Sequence, residues 1–106
     1  MFFSKKTYNE LTKDAINILL RVKENNNDDS DFVWTSYDNV NEFYKDIDRY
    51  IIQLEKSDKE ILDEIYNHFL PTATFQELAM ANGWTIEYHK LAEKFDKIYY
   101  QMKNYY

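Results

Sequence analysis

Val40-Asn-Glu-Phe43-Tyr-Lys-Asp-Ile47-Asp-Arg-Tyr50-Ile-Ile-Gln-Leu54 decides the fold. Its apolar residues Val40, Phe43, Ile47, Tyr50 and Leu54 recur at steps of 3, 4, 3 and 4. That is the helical period, with one face turned to a core. Alternating steps of 3 and 4 also form the seam of helices packed nearly parallel in bundles. The same steps recur upstream in Tyr8, Leu11, Ala15, Ile18 and Val22, and downstream in Tyr88, Leu91, Phe95, Ile98, Met102 and Tyr105. A shorter run holds Leu62, Ile65 and Phe69. Ile16, Leu19 and Leu20 widen the apolar face of the first helix, which predicts a central position against at least two others.

Start and stop signals divide the chain into five helices. Thr7-Tyr-Asn-Glu10, Ser57-Asp-Lys-Glu60 and Thr74-Phe-Gln-Glu77 read as capping boxes, in which hydroxyl and carboxylate reciprocally satisfy two free amides. Asp38 and Thr85 read as simple N-caps. Gly83 is a natural stop, and Pro71 pushes Leu70 out of the helical region. The expected fold is therefore all-α, a compact bundle with helices near 7–24, 39–56, 58–70, 75–82 and 85–104. Two capping boxes followed by a core leucine explain the likeness of Thr7-Tyr-Asn-Glu-Leu11 to Thr74-Phe-Gln-Glu-Leu78 without a duplication. Residues 25–38 form the main loop, Asn- and Asp-rich and acidic, and expected to be mobile. Phe32, Val33 and Trp34 are too apolar for water and are expected to fold back onto the bundle.

Composition agrees. The 106 residues fit one domain, 1–106, with a single core. One glycine and one proline are too few for the turns of an all-β domain. The absence of cysteine excludes disulfides, thiolate catalysis and zinc–sulfur sites. No apolar run approaches the roughly 20 residues a membrane helix needs, and Met1 to Lys6 is too short for a signal peptide, so a cytoplasmic protein without membrane partners is expected. Tyr, Asn, Lys, Ile and Phe share AT-rich codons, and a biased genome alone accounts for ten tyrosines.

Charge is uneven. Residues 1–23 carry +3 and residues 24–66 carry −9, within a total of −6. Asp38, Glu42 and Asp46 repeat at i, i+4 and i+8, and Glu60 and Glu64 at i, i+4. Each such like-charge pair costs roughly 0.2–0.5 kcal/mol, offset near a helix N-terminus by the dipole. A surface so placed attracts a basic partner. A solvated face that keeps a small protein soluble has the same composition.

Catalytic and metal chemistry is sparse. Glu64 with His68, and His89 with Glu93, stand at i, i+4, but a bundle metal site gathers Glu-x-x-His ligands from several helices. Asp28, Asp29 and Asp31 lack the central Gly and the final Glu of a calcium loop. No metal, cofactor or enzymatic turnover is expected. Residues 75–92 resemble a helix-turn-helix, with Ala79, Gly83, Trp84 and Thr85 where that motif needs them. His89 stands where the motif wants a buried aliphatic residue, and an acidic domain suits phosphate poorly, so nucleic acid is an unlikely partner. The tyrosine-rich end, Tyr99 to Tyr106, leaves a homodimer or larger homo-oligomer through the last helix as a further expectation.

The function expected from these features is stoichiometric binding: an inhibitor or immunity-type antagonist of a basic protein, nucleic-acid-binding proteins being one class of such partner. Asp38, Glu42, Asp46, Glu60 and Glu64 would supply the charge, and Phe32, Trp34 and Tyr37 the anchors. A helix-turn-helix regulator and a structural homo-oligomer are the alternatives.

Overall fold

The computed structural model describes residues 6–33, 35–71 and 73–105. Five helices follow one another: α1 Tyr8–Glu24, α2 Val40–Glu55, α3 Glu60–His68, α4 Thr74–Asn82 and α5 Thr85–Lys103. No strand occurs among the described residues. Each helix begins and ends within two residues of its expected limit, because the spacing and the stop signals constrain both.

The caps differ in detail. The Thr7–Glu10 capping box forms as expected. Asn39, and not Asp38, caps α2: its side chain accepts the Glu42 amide at 3.0 Å, while the Glu42 carboxylate accepts the Asp38 amide at 2.8 Å. Ser57 caps nothing. It lies at φ 61°, in the left-handed region, and closes α2: its amide donates to Leu54 O at 3.0 Å and that of Asp58 to Gln53 O at 3.1 Å. α3 starts at Glu60, whose amide donates to Asp58 Oδ1 at 2.9 Å. A turn from Leu70 O to Ala73 N, 3.0 Å, starts α4 a residue early, so Thr74 is its first residue and not a cap. Thr85 likewise begins α5, and its hydroxyl donates to Ala79 O at 3.4 Å. Gly83 supplies the left-handed turn, φ 81°, between α4 and α5. α3 stops at His68, two residues short of expectation, because Phe69 and Leu70 tighten to i−3 bonds ahead of Pro71.

α1 is central, packed on both α2 and α5, while α3 and α4 also rest on α5. α1 and α5 run antiparallel: Arg21 meets Glu87 at one end and the Tyr8 ring meets Tyr105 at the other. The core is aromatic. Phe43 of α2 meets Phe75 of α4 edge-on, ring centres 6.2 Å apart. Phe75 meets Phe69 at 4.9 Å, and Phe69 stacks on Phe95 of α5 at 4.8 Å. Phe32 joins this chain through Phe43 at 5.7 Å. Three helices, the residue that caps the end of α3, and the main loop thus share one row of rings.

Hydrogen bonds tie the loop to the bundle. Asp31 N donates to Asn82 Oδ1 at 2.7 Å, and Asn82 Nδ2 returns a bond to Asp31 O at 3.0 Å. Asn26 is buried, with its carbonyl accepting from the Tyr44 hydroxyl at 2.6 Å. The Asn and Asp side chains that discourage a helix here satisfy the loop's own amides instead. Of the apolar trio, Phe32 is buried, Val33 is 72% exposed, and Trp34 lies outside the described residues.

Phe75→Ala should lower unfolding free energy by about 3–5 kcal/mol in a denaturant titration, because Phe75 is fully buried among three rings. Ser57→Gly should raise it by about 0.5–1 kcal/mol, because it relieves a left-handed serine. A loss on Ser57→Gly would instead support a capping role.

Candidate functional site

Of the eight side chains expected to form one surface, Trp34 lies outside the described residues, and the other seven fall into three places. α2 has 16 residues and spans about 24 Å at 1.5 Å per residue. Asp38 and Glu42 lie at its start, Asp46 at its middle, and Glu60 beyond its far end. They do not make one patch.

In the middle, one arginine serves two carboxylates. The Arg49 guanidinium pairs with the Glu64 carboxylate and stands 3.6 Å from Asp46. It also lies over the Tyr50 ring, 4.8 Å from its centre. Asp46 accepts from the Tyr37 hydroxyl at 2.7 Å, and the Tyr50 hydroxyl bonds His68 Nε2 at 2.7 Å. His68 in turn stacks on Phe75, ring centres 4.9 Å apart. This hub ties α2 to α3 and to the loop. The Arg49 bond holds Glu64 below the usual carboxylate range. Burial, and then the bond to Asp46, pushes Tyr37 far up. Burial and the nearby carboxylates do the same to Tyr50. Burial depresses His68, against the pull of Asp46 and Glu64. Tyr37 also packs edge-on against Phe43 at 5.5 Å. Tyr37 and the buried Phe32 are thus committed to the fold and not displayed as anchors.

The loop end is different. Asp28, Asp29, Asp31, Asp38 and Glu42 are exposed, and none has a lysine or arginine within ion-pair distance among the described residues. A groove of about 560 Å³ opens here, and Asp28, Ser30, Val33, Asp38 and Asn41 are among the residues that line it. The loop brings its aspartates to the start of α2, where the helix already carries acids. Two acids elsewhere on α2 and α3 have cation partners: Asp48 pairs with Lys23 at 2.9 Å and Asp63 with Lys103 at 3.1 Å. Sequence spacing indicates the Asp46–Arg49 pair (i, i+3), whereas the bond from Arg49 to Glu64 needs the approach of α2 to α3.

The other sequence signals have structural placements. Tyr99 stacks on Tyr66 with ring centres 4.1 Å apart, and its hydroxyl donates to Asp63 at 2.5 Å, which pushes it up to about 12. Tyr100 stays exposed, while Tyr106 lies outside the described residues. In the segment that resembles a helix-turn-helix, Ala79 and Trp84 are buried, and Glu87 is bound to Arg21 and Asn25 of α1. His89 is exposed.

No protein-family model matches the sequence, and no curated protein or solved structure matches it either.

The hub has a pH signature. His68 is depressed by burial, so the unfolded chain takes up a proton first as pH falls. Stability is then complete above the ordinary histidine pKa and declines as pH drops through it toward the folded value. Unfolding midpoints at about pH 7.5 and about pH 5.5 should differ more for the parent protein than for His68→Gln. Equal differences would place the pH dependence elsewhere.

Proposed function

We propose that the protein acts by stoichiometric binding, as an inhibitor or immunity-type antagonist of a basic protein. The contact is made by the loop end: Asp28, Asp29, Asp31, Asp38 and Glu42 around the groove beside Val33. The observation that carries this reading is the contrast between two acidic regions. Asp46 and Asp48 of α2 and Asp63 and Glu64 of α3 each have one of the chain's own cations within ion-pair distance, whereas the five carboxylates of the loop end have none among the described residues; Glu55 and Glu60 are also unpaired, but at the far end of α2.

Unmatched carboxylates close together raise the local negative potential and accelerate encounter with a basic surface. The pinned backbone reduces the ordering entropy lost on binding. Val33 gives the patch an apolar centre, where energy concentrates once rim charges have steered the partner. Glu42 accepts the Asp38 amide and stays exposed, so its place in the fold does not remove it from the surface.

Affinity capture from the native host, followed by association kinetics across ionic strength, tests this. The parent protein should capture a basic protein, with an association rate that falls as salt rises. Asp28→Lys/Asp29→Lys/Asp38→Lys should lose that partner, because none of these carboxylates makes an internal side-chain bond among the described residues. The charge-matched control Glu55→Lys/Glu60→Lys/Glu93→Lys should keep it. Retention by the loop variant at unchanged affinity and salt dependence would overturn the reading.

A further inference from the structure

Two helices carry the same four-residue pattern: Asp63-Glu-Ile-Tyr66 on α3 and Asp96-Lys-Ile-Tyr99 on α5. At i, i+3 the aspartate and tyrosine of each copy share one helix face. The fold sets the copies against each other. The Tyr66 hydroxyl donates to Asp96 Oδ1 at 2.8 Å, and the Tyr99 hydroxyl donates to Asp63 Oδ1 at 2.5 Å. Between these bonds the two phenol rings are stacked, with centres 4.1 Å apart and planes 11° from parallel. Lys103 holds the other oxygen of Asp63 at 3.1 Å. Both tyrosines are half-buried, so an oxidant in solution reaches them.

Other described tyrosines lack some part of this arrangement. Tyr37 donates to Asp46, but its ring meets Phe43. Tyr44 and Tyr88 donate to backbone carbonyls, which take up no proton. Tyr8 meets Tyr105 edge-on at 5.7 Å, and Tyr100 meets both Tyr66 and Tyr99 edge-on. A phenol that loses an electron becomes a strong acid, and a carboxylate already bonded to its hydroxyl takes the proton as the electron leaves. The chain has no cysteine, so no thiol competes as the electron source.

We propose that Tyr66 and Tyr99 form an oxidative coupling site, where a peroxide-driven one-electron oxidant converts the pair to a dityrosine and joins α3 covalently to α5. Each phenol loses one electron to the oxidant and its hydroxyl proton to Asp96 or Asp63. The two phenoxyl radicals form one carbon–carbon bond between ring carbons adjacent to the oxygen-bearing ones. The hydrogen on each of those carbons leaves as a proton, and each oxygen regains one, which restores both phenols. The pair has then given up two electrons and two protons, and one hydrogen peroxide has become two waters. Stacking holds the reacting rings together, so coupling within one molecule outruns encounter between molecules. The new bond restricts the unfolded chain as a disulfide does, in a domain without cysteine. This inference does not rest on the loop end, and either can fail without the other.

The test treats the dilute protein with hydrogen peroxide and a haem peroxidase. Dityrosine fluorescence is read in the monomer band of a denaturing gel, and the cross-link is mapped by tandem mass spectrometry. It should join residues 66 and 99, and the cross-linked monomer should unfold at higher denaturant than the untreated one. Tyr66→Phe and Tyr99→Phe, which keep both rings, should each lower the monomer yield about tenfold, and Tyr100→Phe should leave it unchanged. Asp63→Asn/Asp96→Asn should slow coupling several-fold, because an amide oxygen still accepts the hydroxyl bond but takes no proton. Fluorescence confined to dimer bands or absent altogether, a cross-link mapped to other tyrosines, or undiminished coupling in the asparagine variant would overturn the inference.

Discussion

The row of rings from Phe43 through Phe75 and Phe69 to Phe95 is the contact on which the rest depends. A chain of 106 residues buries only about two-thirds of its unfolded surface, so it has few core positions to use. Large aromatic side chains bury more area per position than aliphatic ones. Here they also link elements that are not neighbours in sequence. Phe75 touches α2 through Phe43 and the end of α3 through Phe69 and His68. His68 carries the polar hub, so the charged network and the apolar core meet at one ring. The loop joins the same row through Phe32, which is why an Asn- and Asp-rich segment holds a definite course.

Most of the fold was legible in the sequence because it rests on periodicity. The 3 and 4 steps of α1, α2 and α5 leave one arrangement that buries every apolar face. The errors came where two local devices compete for one residue type. Ser57 has the hydroxyl of an N-cap, but the tight link from α2 to α3 needs a left-handed residue there, and chain closure prevails. Asp38 and Asn39 are adjacent caps of similar strength, and only the three-dimensional course of the loop selects Asn39.

The candidate surface was less legible. Composition and spacing indicate where acids are, but not which cations meet them. The pairing of Arg49 with Glu64 joins residues 15 apart, and that of Lys103 with Asp63 residues 40 apart. Such pairings follow from helix packing, which no local pattern encodes. Exposure was equally hidden: Phe32 and Val33 are neighbours of similar hydropathy, yet one enters the core and the other faces water.

The central claim is that the fold gathers unpaired carboxylates at the loop end, while Lys90, Lys94 and Lys97 of α5 have no ion pair among the described residues. Amide-resolved paramagnetic relaxation, read with cationic and anionic nitroxide cosolutes in turn, reports local surface potential directly. The account predicts stronger relaxation by the cationic probe around residues 28–42 and by the anionic probe around residues 90–97. A uniform preference for the cationic probe over both regions would contradict it, because the −6 charge would then be spread evenly over the surface.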